Sequence, residues 1–177
     1  MGAMSTYYEL LDDRRSLERW HLGSPLDEHG EEIDPWQFDE GKALELGCLP
    51  RFPVDIPGRP LDFCWAAFSI VVAYQRFVRL FESLHVEGVQ FIPAHVEGHA
   101  GPWYILNALR VIRCIDDARC AEVQYWKPED EEPEKVGEYR AVHGLRIDTT
   151  KVGDARAFRP WSWRVALIVS EDIKQAI

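Results

Sequence analysis

Apolar positions along the chain repeat with two different periods. Between Ala73 and Leu84 they fall three and four apart, at Ala73, Phe77, Leu80, Phe81 and Leu84, with Gln75, Arg76, Arg79 and Glu82 between them. This spacing gathers the apolar side chains on one face of an amphipathic helix. The main helical region is therefore expected within Asp62 to His85. Ser69 can cap an early start. Val71 and Val72 are stiff β-branched residues, which moves the expected start toward Ala73. Elsewhere the period approaches two. Val89 to Val96 alternates imperfectly, and Trp103 to Ile115 is a second apolar run containing Val111, Ile112 and Ile115. Glu97 to Pro102 between them is turn chemistry, so the two runs read as an antiparallel hairpin.

Shorter segments complete the expected set. Tyr7 to Leu11 reads as a first strand, followed by a charged turn at Asp12 to Arg15. Ala121 to Trp126 and Glu138 to Ile147 read as strands, Phe158 to Trp161 as extended chain, and Trp163 to Val169 as a buried strand. Ser170 is placed to cap a last helix, with Glu171 and Asp172 in its first turn where the macrodipole favours negative charge. Prolines 25, 35, 50, 53, 57 and 60 interrupt residues 21–60. Such punctuation leaves few regular elements, so this stretch is expected to wrap over the core, pinned by Trp20, Trp36, Phe38 and Phe52. No internal repeat or linker is visible. The expectation is a single α+β domain over residues 4–177, mostly antiparallel sheet with one main amphipathic helix and a C-terminal helix. Residues 4–60 form its irregular acidic wrap and residues 61–177 its core. Met1-Gly2-Ala3 ahead of Met4 reads as a cloning remnant.

Charge changes this picture. The chain of 177 residues has 30 acidic and 20 basic side chains, a formal net charge of −10. An acidic balance disfavours nucleic acid and anionic membrane as partners, since both need a basic face. The excess is uneven: residues 1–60 hold 13 acidic and 6 basic side chains, and residues 61–177 hold 17 and 14. Two stretches stand out, Asp27 to Glu45 and Glu129 to Glu138. Cysteines 48, 64, 114 and 120 form no C-x-x-C pair. They read as reduced, small apolar residues of a cytoplasmic protein. No secretory signal and no apolar run near 18 residues is present.

Candidate chemistry is sparse. His95 and His99 flank Glu97, but this is not H-E-x-x-H, and Gly98 with Gly101-Pro102 opposes a shared helical face. The histidines read as occupants of a hairpin turn, with a metal site as the alternative. Nucleophile-elbow, phosphate-loop and dinucleotide motifs are missing. A Cys–His pair meeting only in space stays open. Asp116-Asp117 reads as a turn start, with a divalent ion as the alternative. Trp161-Ser162-Trp163 places two indoles on one face if extended, either as a stacking platform or, more simply, as core and partner contacts. No catalytic, cofactor-binding or metal residue is assigned.

Three blocks of residues carry a family resemblance. The first joins Asp62-Phe63, Ile70-Val71-Val72 leading into Gln75-Arg76-Phe77, and Gly88-Val89-Gln90-Phe91-Ile92-Pro93. The second is Trp103-Tyr104-Ile105-Leu106-Asn107 followed by Cys114-Ile115-Asp116. The third is Phe158-Arg159, then Leu167-Ile168-Val169-Ser170 with Lys174. In this order they resemble the eleventh family of bacterial immunity proteins from polymorphic toxin systems, typified by a myxobacterial protein. The resemblance covers residues 60–177 and reaches the first sixty only loosely, through Tyr7-Tyr8 and an acidic stretch. It departs at Ala73, where the family often has Ser as the main helix begins.

The resemblance implies a non-enzymatic protein, made in the cell that carries a toxin, that binds the cognate toxin domain and blocks it. Asn107 and Asp116, polar within apolar surroundings, are expected to bond backbone at strand ends. The acid excess suits a basic partner. Partner contacts are expected on Asp27, Glu28, Glu31, Glu32 and Asp34 beside Trp36, or on Glu129, Asp130, Glu131, Glu132 and Glu134 beside Trp126. Two alternatives remain at this point. One is a cryptic hydrolase reversing a toxin's modification, with His95 or His99 near Asp116 or Cys114. The other is a small-molecule or protein interaction module unrelated to toxins.

Overall fold

A computed structural model describes residues 5–177. The Met1–Ala3 segment and Met4 lie outside the described residues. In chain order the elements are β1 (Tyr7–Glu9), β2 (His21–Leu22), β3 (Arg51–Phe52), β4 (Val54–Ile56), β5 (Phe63–Ala66), β6 (Ile70–Tyr74), α1 (Gln75–Ser83), β7 (Val89–Val96), β8 (His99–Ala108), β9 (Val111–Ile112), β10 (Glu122–Tyr125), β11 (Tyr139–His143), β12 (Ala157–Pro160), β13 (Ile168–Ser170) and α2 (Glu171–Ala176). The fold is α+β. A five-stranded sheet runs β3-β7-β8-β6-β5 and a four-stranded sheet runs β1-β13-β12-β9. Pairing is antiparallel except at β3 with β7 and β12 with β9. Two small ribbons, β2-β4 and β10-β11, complete the set.

The expected hairpin is β7 with β8, in one register from Val89 opposite Ala108 to Ala94 opposite Trp103, with a shift before Val96 opposite His99. The turn is shorter than expected, because β8 already begins at His99. The larger correction concerns the main helix. Asp62 to Tyr74 is not helical: β5 and β6 form a second hairpin, and α1 begins at Gln75. The reason is burial on two sides. Ile70 and Val72 pack with Trp20, Phe38, Phe52 and Trp103 under the N-terminal wrap. Val71 and Ala73 point the other way, against Phe77, Phe81, Leu167, Val169 and Ile173. A strand covered on both faces is apolar at every position and loses its alternation. Such a run resembles a buried helical turn in sequence.

Ser69 is not a helix cap but a fully buried residue of the β5–β6 turn. The N-cap of α1 is Tyr74, with extended backbone and no side-chain cap. Its amide instead donates to the Asp62 carbonyl at 2.7 Å. The α1 face itself agrees with the periodicity, with Phe77 and Phe81 buried. Ser170 occupies the N-cap of α2, but its hydroxyl bonds the Asp172 carboxylate and caps no amide. The buried strand expected from Trp163 shortens to Ile168–Ser170.

The wrap is held by specific polar contacts as well as by aromatic anchors. Trp20, Phe38 and Phe52 are buried as expected, but Trp36 is 53% exposed. Asn107 on β8 donates from Nδ2 to the Lys42 carbonyl at 2.7 Å and to Gln90 Oε1 at 2.9 Å. The buried Asn107 and half-buried Gln90 amides, opposed on β8 and β7, bond the wrap's backbone over that face of the sheet. A third apolar cluster, Cys114, Val152, Ala155, Phe158, Ala166 and Ile168, backs the four-stranded sheet.

Candidate functional site

The two acidic runs lie on different scaffolds. Asp27 closes a turn: its Oδ1 accepts the His29 N–H at 2.8 Å and the Glu31 N–H at 2.9 Å. The Glu31 amide, with help from His29, holds the Asp27 carboxyl below its ordinary range. Asp34 then starts a 3-10 turn over Pro35–Asp39, with its Oδ1 accepting the Trp36 N–H at 3.0 Å. Proline in the first turn suits this start, because its missing N–H would be unsatisfied there anyway. Phe38 and Asp39 anchor the turn inside, and Trp36 faces outward. Glu28, Glu31, Glu32 and Asp34 are all exposed. No lysine or arginine occurs between Arg19 and Lys42. Among the described residues Glu28 meets only the His29 imidazole, at 3.9 Å, which is charged only when protonated.

The second run is balanced from within. Asp130 pairs with Arg140 at 2.7 Å and accepts the Lys127 N–H at 2.8 Å. Glu132 meets Lys135 at 3.3 Å. Trp126 lies beneath cations of its own chain, with Lys135 Nζ 5.0 Å and Arg140 Cζ 5.1 Å from its ring centroid. Its π face is thus already occupied by the kind of group a basic partner would bring. Glu129, Glu131 and Glu134 stay exposed around it. The neighbouring Tyr125 and Tyr139 rings stack at 4.8 Å, and both hydroxyls donate to Asp117. Burial, then the Asp117 carboxylate, push the Tyr139 phenol up.

The other candidate residues do not converge. His99 packs edge-on to Trp20, with ring centroids 4.7 Å apart, on the wrap side of the large sheet. Cys114 lies in the third cluster, and burial pushes its thiol up to about 12. Asp116 accepts the Arg119 N–H at 3.3 Å, closing its own turn, while Asp117 serves the tyrosines. Asn107 bonds backbone as expected, but that of the wrap and not of its own strand end. Among the described residues no three or more His, Cys, Asp or Glu cluster as a metal site would need. A cleft of about 540 Å³ is lined by 5–9, Arg119, 144–147, Thr149 and Ile168. It borders the Asp116 turn, where the Asp116 N–H donates to the Arg146 carbonyl, but takes in none of the His95, His99, Cys114 or Asp116 side chains. The Trp161–Trp163 segment is not extended. Ser162 sits at φ 64°, Trp163 N–H closes a turn on Pro160, and Trp161 lies 3.7 Å under the Arg113 guanidinium.

Sequence reasoning missed the tip of the β5–β6 hairpin. Ala67 and Phe68 both adopt positive φ, 43° and 68°, and Phe68 is 83% exposed. Its ring lies parallel to Trp36, with 5° between planes and centroids 6.4 Å apart. Beneath the tip, Arg159 is fully buried and donates to the Ser69 carbonyl at 2.7 Å and to the Arg164 carbonyl at 2.6 Å. Burial pushes its guanidinium down to about 10, against the attraction of the buried Asp39 carboxylate. A positive φ at two consecutive non-glycine residues was the absent signal, because turns of this kind usually advertise themselves with Gly or Asn.

No helix among the described residues is long and apolar enough to cross a membrane. No curated protein matches the chain. The model of the immunity protein family (Imm11) matches residues 26–177. The match reaches well into the wrap and takes in the whole first acidic run, which the motif blocks had left outside. It spans nearly the whole chain, and the protein belongs to the Imm11 immunity protein family.

Proposed function

We propose that the protein neutralises a cognate bacterial toxin domain by binding it and covering its active site or substrate path. The observation that carries this reading is the family match over residues 26–177. The setting is interbacterial competition through a polymorphic toxin system, with the protein acting in the cytoplasm of the cell that carries the toxin. The reading assigns no reaction, cofactor or metal to the chain. A basic toxin surface fits it, since the unbalanced carboxylates of residues 27–34 would speed encounter and disfavour acidic competitors.

Co-expression with the toxin domain encoded by the adjacent gene tests this. Restored growth and a one-to-one complex on gel filtration are expected. Failure of both would remove the toxin-binding reading. The association rate should fall steeply as salt rises. Charge reversal at Glu31 and Glu32 should lower both the rate and its salt dependence.

A further inference from the structure

We infer that the parallel Trp36–Phe68 pair is the anchor of the toxin interface, and that it receives a cationic side chain, arginine above all, from a basic toxin domain. The inference rests on the toxin-binding reading and adds where and by what chemistry the contact is made.

Four observations lead there. First, the two rings are large, aromatic and exposed, at 53% for Trp36 and 83% for Phe68, yet they lie within 5° of parallel. They come from separate parts of the chain, the wrap and the β5–β6 tip, so the arrangement is not a property of one loop. Second, Phe68 is presented at a conformational cost. Left-handed backbone brings Cβ too close to the following carbonyl oxygen in any non-glycine residue, and Ala67 and Phe68 both adopt it. Third, the tip is braced from below. Arg159, buried among Ser69, Arg164 and Asp39, fixes the Ser69 carbonyl and so the residue next to Phe68. Fourth, the surroundings are anionic. Asp34 caps Trp36, Glu31 and Glu32 follow the same wrap, and no lysine or arginine lies between Arg19 and Lys42. A cation at this face, Arg164, is already engaged by Asp39 at 3.8 Å.

Exposed aromatic faces beside unbalanced carboxylates suit a guanidinium, which stacks on π surfaces while its edge donates to carboxylates. The two acidic runs are distinguished on the same ground. At Trp126 the ring is covered by Lys135 and Arg140, and the nearby Asp130 and Glu132 are paired. Near Trp36 the cations Arg51 and Arg164 are engaged by Glu97 and Asp39, and among the described residues none lies over the Trp36 or Phe68 ring, so the stacking cation would come from the partner.

The test measures affinity of the purified full chain for the adjacent-gene toxin domain. Trp36→Ala and Phe68→Ala should each weaken binding by about 30-fold or more, as aromatic anchors do. Phe68→Gly separates anchoring from folding: it should match or exceed the wild type in thermal stability, because glycine accepts positive φ, and yet lose affinity to the same degree. Charge reversal at Glu129 and Glu134 should change affinity by less than about threefold, as expected of rim positions. Wild-type binding that all three aromatic variants retain would overturn the inference and leave the toxin-binding reading standing. If the wild type forms no complex, both fall.

Discussion

The Gln90 side chain pairs with Leu44 as a neighbouring strand would: Nε2 donates to the Leu44 carbonyl and Oε1 accepts the Leu44 N–H, both at 2.9 Å. Asn107 adds its bond to Gln90 Oε1 and another to the Lys42 carbonyl. The half-buried Gln90 and the buried Asn107 thus do for the wrap what strand pairing does elsewhere. Gln90→Ala is expected to destabilise the protein by about 1–3 kcal/mol, the cost of leaving such groups unpaired. In hydrogen exchange the Leu44 amide should lose protection while β8 keeps its own. Unchanged protection at Leu44 would show that the wrap is held by its aromatic anchors alone.

Arg159 is the clearest buried charge. It faces Asp39 electrostatically and satisfies two backbone carbonyls from separate loops. Arg159→Met should cost about 3–5 kcal/mol, because the Asp39 carboxylate and both carbonyls lose a buried partner. Arg159→Lys should recover only part, since an ammonium cannot span two carbonyls in a fixed fork. Pairing Arg159→Met with Asp39→Asn should be milder than the sum of the two single changes. Urea titrations of the four proteins measure this, and strict additivity would mean that the groups do not communicate.

Acid should weaken the fold through particular carboxylates. The Glu31 N–H at Asp27, the Thr150 hydroxyl at Asp148 and the Arg110 guanidinium at Asp154 each hold a carboxyl below its ordinary range. A lowered folded-state pKa gives stability that is present above the unfolded value, about 4, and is lost as pH falls through the folded value. Thermal midpoints should therefore hold from neutral pH to about 4 and decline below it. Asp148→Asn and Asp154→Asn should each flatten that acid limb; an unaltered limb in both would assign it to other groups.

Thiol chemistry offers a separate check on the core. Burial pushes both Cys64 and Cys114 up to about 12, so neither carries thiolate at neutral pH. Both are buried, whereas Cys48 and Cys120 are half-buried. A thiol reagent at pH 8 should label Cys48 and Cys120 in the native protein and reach Cys64 and Cys114 only on unfolding. Rapid native labelling of Cys114 would contradict its place in the third cluster.

Legibility in the sequence followed burial geometry. The α1 face was readable because Phe77 and Phe81 are covered on one side only, which preserves the helical period. Ile70 to Ala73 was not, since a strand with neighbours on both faces has no polar positions to reveal its alternation. Trp20, Phe38 and Phe52 were correctly placed inside. Trp36 was not, because an aromatic residue in an irregular segment looks the same whether it fills a core or leaves one. The Gln90–Leu44 pairing leaves no local trace, as its partners stand 46 positions apart. For the candidate surface, composition located both acidic runs but not their difference. That difference depends on Arg140 and Lys135 folding back over Trp126, and on a hairpin tip that no glycine marks.

Strand β13 lies between β1 and β12, so the four-stranded sheet joins the first described strand to the last. In a chain growing from the ribosome, β1, β9 and β12 emerge with nothing between β1 and β12 until residues 168–170 arrive. Tyr8 must wait for Val169, and Arg159, although already synthesised, gains the Arg164 carbonyl only with the final loop. Closure of this sheet therefore waits on residues 168–170, which alone carry the edge that both β1 and β12 need.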